Sequence, residues 1–159
     1  PPEQKEQDKK MIGLFFAKKG KHVVCGGTTS QLVSDYLKQP LNLSLNYDDI
    51  NVPPTATIKG VDLVTEGILT INKVLDYAKD YTKDNTLFND LVIKKDGASA
   101  LARMLFEEAT NINFYVGKAV NPAHQNPNLP INFNIKMQLL DALMAYLKAM
   151  GKETSINYF

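Results

Sequence analysis

The sequence predicts an α/β fold, a three-layer sandwich of the Rossmann or flavodoxin kind built on a mainly parallel sheet of four to five strands. Three observations predict it. Short apolar runs alternate along the chain with segments of helical period. The run "KHVVCGG" is continuously apolar, as in a strand covered on both faces. No internal repeat is present, and 159 residues, 44% apolar and 22% charged, suffice for one ordinary core.

Each element has a local reason. Residues 1–10, "PPEQKEQDKK", read as a polar linker from a preceding domain, leaving 11–159 as a single α/β domain. A helix over 4–19 buries its second half through Met11, Ile12, Leu14, Phe15 and Phe16, and Gly20 ends it. The strand around Val23–Cys25 follows. A helix over 29–38 carries Leu32, Val33, Tyr36 and Leu37 on one stripe, and Pro40 stops it. "LNLSL" (41–45) alternates strictly, as a strand with one wet face does. Residues 46–57 form a long loop, where Pro53-Pro54 forbids regular structure and admits a cis bond. "IKGVDLVTE" (58–66) is rich in branched residues and reads as one strand.

Gly67 then opens a helix over 68–82 with Ile68, Ile71, Val74, Leu75 and Ala78 facing inward. Residues 83–95 leave room for a short helix. The helix over 96–109 has Asp96 as its N-cap, and 112–120 is a strand. "NPAHQNPNLP" (121–130) is a loop stiffened by three prolines. Residues 135–150 give the clearest helical stripe, capped by Gly151, and "ETSINYF" closes as a strand.

The totals exclude several functions. Eighteen basic residues against 17 acidic ones leave a net charge of +1, without the basic excess that nucleic acid requires. The early lysines (Lys9, Lys10, Lys18, Lys19, Lys21) stand among carboxylates and read as a solvated face. One cysteine, Cys25, excludes an intrachain disulfide framework. No apolar run approaches the ~20 residues of a membrane helix, and no signal peptide is visible. A cytoplasmic protein without membrane or nucleic-acid partners is expected.

In open α/β sheets, ligands sit outside the carboxyl ends of the strands, where strand order reverses. Three segments end predicted strands with suitable chemistry and are expected along one rim. Gly26-Gly27-Thr28-Thr29 joins a strand to a helix start, where free amides and the helix dipole favour an anion. An ordinary cap by Thr28 or Thr29 explains the same residues. The segment is neither a Walker loop nor a G-x-G-x-x-G fingerprint. Thr65-Glu66-Gly67 offers a carboxylate that could hold a ribose or an amine, or simply stabilise a helix start. Asn121, His124, Gln125 and Asn126 form a polar loop that either binds a ligand or bonds its own backbone. His124 lacks the companions of a metal site, and Gln31 stands where a cysteine phosphatase would need arginine, so Cys25 reads as structural. Asp96-Gly97 reads as a helix cap.

The strings "VVCGGTTSQLVSDYL", "IKGVDLVTEG" and "AVNPAHQNPNLP", in that order, resemble the segment that follows the catalytic domain in bacterial serine phosphatases of the stage II sporulation protein E (SpoIIE) type. The resemblance extends over the whole chain. The family's catalytic domain is protein phosphatase 2C-like and uses manganese or magnesium held by aspartates, one of them in Asp-Gly-x-Gly. Here "DGASA" has Ser99 at the second glycine, so phosphatase catalysis is not carried over and no cofactor is expected in this chain. The resemblance implies an accessory, non-catalytic regulatory domain with the phosphatase domain as neighbour. From the residues, its ligand is expected to be a small anion such as a nucleotide or phosphorylated metabolite. The alternatives are an interaction or homodimerisation module using Leu14, Phe15 and Phe16, and an enzyme using Glu66 or His124 as base.

Overall fold

The computed structural model describes residues 1–44, 55–119, 125–126, 129–130 and 133–159. The helices follow the local rules that predict them. A 3₁₀ turn at Lys5–Gln7 leads into α1 (Asp8–Ala17), which buries Met11 and Ile12. β1 (Val23–Cys25) and α2 (Gly27–Leu37) come next. Two short strands, β2 (Asn42–Leu43) and β3 (Ala56–Thr57), precede β4 (Leu63–Thr65). α3 (Ile68–Tyr81), α4 (Phe88–Ile93) and α5 (Gly97–Arg103) follow, and α5 continues as a π-helical turn at Met104–Glu108. The chain closes with β5 (Asn111–Val116), β6 (Gln125–Asn126), β7 (Leu129–Pro130), α6 (Phe133–Ala149) and β8 (Glu153–Tyr158).

Caps fix several boundaries. The Asp96 carboxylate accepts the Ser99 amide at 2.8 Å, the N-cap bond the sequence predicts at the start of α5. Gly151, at φ +81°, ends α6 in a paired bond pattern: its amide reaches the Lys148 carbonyl (2.9 Å), and the Lys152 amide reaches Leu147 (3.0 Å). That is the Schellman arrangement glycine favours. α2 ends the same way without glycine. Lys38 takes φ +52°, and the Gln39 amide bonds the Ser34 carbonyl at 3.1 Å.

The sheet departs from the single, mainly parallel one expected. The described strands make a four-stranded mixed sheet ordered β1-β4-β3-β2, a parallel pair β5-β8, and a small ribbon β6-β7. β1 and β4 are parallel, whereas β3 runs antiparallel to both its neighbours. The predicted strand over 58–66 is broken. Gly60 at φ +95° and the Val61-to-Ile58 bond (3.0 Å) form a turn, so β3 and β4 are the arms of a hairpin. Ala56–Thr57, expected in a loop, thereby becomes a strand. Leu45 through Pro54, including Pro53-Pro54, lies outside the described residues.

Two cores flank these sheets. Val23 and Cys25 of β1, Leu63 of β4, and Ile112 and Phe114 of β5 pack against buried Val74, Ala78, Leu101, Leu143 and Leu147 of α3, α5 and α6. On the opposite side, Val24 and Val64 meet Met11, Ile12 and Val33 of α1 and α2, with Tyr115 and Phe159 joining them. Alternate residues of one strand therefore serve different helix layers, as the two-residue period requires.

Candidate functional site

The two glycine turns expected to form a rim do meet. Gly26 sits at φ +113°, ψ +131°, as N-cap of α2, and a Cβ on Gly67 would lie 3.4 Å from its Cα. Gly26 is thus required by its positive φ, whatever binds there, while a side chain at Gly67 would make only ordinary contact with it. The Gly26 amide donates to the Thr65 carbonyl at 2.9 Å, which removes it from any anion cradle. Its carbonyl accepts from the Ser30 amide and hydroxyl, both at 2.9 Å. α2 starts at Gly27, earlier than the sequence suggests, so Thr28 and Thr29 belong to its first turn and neither is the N-cap. In that turn the backbone amides have no acceptor four residues earlier in the helix.

Glu66 is half-buried and turned toward its own helix. One carboxylate oxygen accepts the Leu69 amide (3.0 Å) and the Thr70 amide (3.3 Å), which stabilises the start of α3. The Thr65 hydroxyl lies 2.8 Å from the Glu66 carbonyl and 3.3 Å from Cys25 Sγ. Burial pushes the Cys25 thiol up to about 11, a shift that the Thr65 hydrogen bond opposes only in part. Such a thiol is protonated at neutral pH and is a poor nucleophile.

The third segment is only partly within view. Gln125 and Asn126 form β6, paired in register with Pro130 and Leu129. Asn121 and His124 lie outside the described residues. On α1, Leu14 is 45% exposed, but Phe15 and Phe16 pack edge-to-face (4.9 Å), and both touch the His22 ring.

A cleft of about 660 Å³ opens between β1 and β5, and Thr29, Gly67 and Lys136 line it together with apolar side chains. This volume is in the range of small-molecule sites. Lys136 of α6 is a residue that sequence reasoning missed. Its ammonium donates to the Gly117 carbonyl at 2.7 Å, just past the carboxyl end of β5. Burial pushes its pKa down, because desolvation penalises the ammonium and the described residues place no carboxylate in an ion pair with it. A signal existed: Lys136 is in phase with Leu139, Leu140 and Leu143, so a cation stands on the stripe that faces the core. Among the described residues, no group of three or more His, Cys, Asp and Glu side chains is placed to hold a metal.

Comparison of the chain with protein-family models, with curated proteins and with solved structures returns no match.

Proposed function

We propose that this chain is a non-catalytic regulatory domain that binds a small anionic molecule, a nucleotide or phosphorylated metabolite, at the carboxyl ends of β1, β4 and β5. In keeping with the resemblance drawn from the sequence, its neighbour would be a SpoIIE-type phosphatase domain. The reading treats the two larger sheets as halves of one doubly wound layer. The chain passes from β1 through α2 to β4 on one side, then returns through α3 to α5 to reach β5 on the other. β1 and β5 would then flank the point of reversal, where such folds bind ligands.

One observation carries the proposal: the Lys136 ammonium, half-buried and bonded to a neutral carbonyl, lines the same cleft as Thr29 in the first turn of α2. An anion there would recover the Coulomb energy that burial costs the lysine. Binding could regulate a neighbouring domain only by differing in affinity between that domain's two states. The enzyme reading finds less support, since Glu66 is committed to its helix and Cys25 holds its proton.

Thermal denaturation with ADP, glucose 6-phosphate and inorganic phosphate tests the proposal. A ligand at a hundredfold excess over Kd stabilises by about 2.7 kcal/mol, which is about 5–10 °C at this size. Lys136→Met, which keeps the stem in the cleft, should abolish the shift. A shift unchanged in Lys136→Met, or none from any anion, refutes the proposal.

A further inference from the structure

We propose that the cleft between β1 and β5 is also a strand-docking site, taking an extended peptide segment of a partner protein that is apolar in its middle and acidic at one end. The argument begins with the hydrogen-bond pattern. In the β1-β4 ladder the bonds are made by alternate residues of β1, with the Leu63 amide on the His22 carbonyl and the Gly26 amide on the Thr65 carbonyl. Val23 and Cys25 therefore direct their own N–H and C=O groups away from β4.

β5 repeats this on its side. The Glu153 amide bonds Thr110, and the Phe159 amide bonds Val116, so the even-numbered residues of β5 face β8. Asn111, Asn113 and Tyr115 direct their backbone groups away from it. Both edges line one cleft, and the Lys21–Glu108 ion pair joins the segments that lead into the two strands. The Lys136 bond to the Gly117 carbonyl is made on this same edge of β5.

The cleft is apolar on both faces, with the partly buried Phe15 and Tyr115 on one and Ile71, Ile112 and Leu139 on the other. A hydrocarbon chain would match those faces but bury the strand edges without partners. An extended peptide satisfies both edges at once, and branched apolar side chains suit a strand covered on both faces. Charge decides the flank: Lys18, Lys19 and Lys21 line one end of the cleft, where Glu108, paired with Lys21, is the one acidic side chain among the described residues. The proposal does not rest on the anion reading, because the peptide uses the strand edges and the anion uses Lys136 and the start of α2.

The probes are two synthetic peptides, acetyl-DDVIVTV-amide and acetyl-VIVTVDD-amide, with the same peptides N-methylated at alternate backbone positions and with lysine in place of aspartate. Amide hydrogen exchange of the whole chain is followed residue by residue. Binding of either aspartate peptide should slow exchange at Cys25, Asn113 and Tyr115 about tenfold or more, leaving Val24 and Ile112 little changed. N-methylation should weaken binding about tenfold or more, and the lysine versions should bind less tightly still than their aspartate parents. Asn111→Pro removes an amide from the cleft edge at the first residue of β5, where proline is tolerated, and leaves both the backbone bonds to β8 and the Ser155–Asn113 side-chain bond in place; it should weaken binding likewise. Three results would overturn the proposal: neither aspartate peptide binds; N-methylation makes no difference; or Cys25, Asn113 and Tyr115 are already as protected as Val24 and Ile112 in the free protein. Nucleotide-induced stabilisation without peptide binding would sink this inference alone and leave the anion site standing.

Discussion

Alanine placed at Gly26 and at Gly27 should change stability in opposite directions, although the two residues are adjacent. Gly26 holds φ +113°, ψ +131°, a region that residues with a Cβ rarely enter. Forcing alanine into it costs on the order of 1–3 kcal/mol. Restricting the unfolded chain returns about 0.4–1 kcal/mol, leaving a net loss of about 1–2 kcal/mol. Gly27 lies inside the first turn of α2, and its Cβ would meet no atom within 4 Å. There alanine should add about 0.4–1 kcal/mol, from lower unfolded-state entropy and better helix propensity. Urea unfolding at neutral pH measures both, and each kcal/mol corresponds to about 2–4 °C in Tm. Equal losses in both variants would refute the reasoning, since Gly27 would then also be needed for the turn. A stable Gly27→Ala variant that loses the anion-induced shift would locate the anion against that backbone.

Two further outcomes follow from single residues. Lys38→Gly should stabilise the protein by about 1 kcal/mol, because Lys38 closes α2 in the left-handed region at φ +52°; an unchanged urea midpoint would contradict it. Cys25 should resist thiol reagents at pH 8 until the protein unfolds, because burial raises its thiol to about 11. The unfolded thiol ionises first, so the native state binds the extra proton. Its contribution to stability is then whole below about pH 9 and is lost as pH rises through about 11. Cys25→Ala should flatten that part of the stability profile, and an identical slope in both proteins would contradict the burial argument.

Local chemistry made most helices legible. The Asp96 cap depends on a carboxylate three residues before an amide, and the Gly151 terminator on one residue with φ +81°. The stripe of α6 depends on the 3.6-residue period alone. The hairpin at 58–62 carried a signal as well, since Gly60 interrupts an otherwise branched run, but β-propensity on both sides hid it. The candidate site was legible in pieces. The sequence marks Gly26 and Gly67 as ligand candidates, while the proximity of the two turns, 41 positions apart in the chain, has no trace in either segment. Glu66 was read as ligand-binding or helix-stabilising, and its bonds to Leu69 and Thr70 are those of the second.

By itself, the sequence determined the helices, the Asp96 and Gly151 caps and the two apolar faces of β1, because each follows from neighbours within about four residues. Only the tertiary structure decided which strands pair. β1 joins β4, β5 joins β8, and β1 and β5 border a cleft instead of pairing with each other. Backbone amides and carbonyls are alike in every residue except proline, so strand pairing depends on how the helices above and below fill their layers. That filling also sets Lys136 beside Gly117, where its charge lies half out of water.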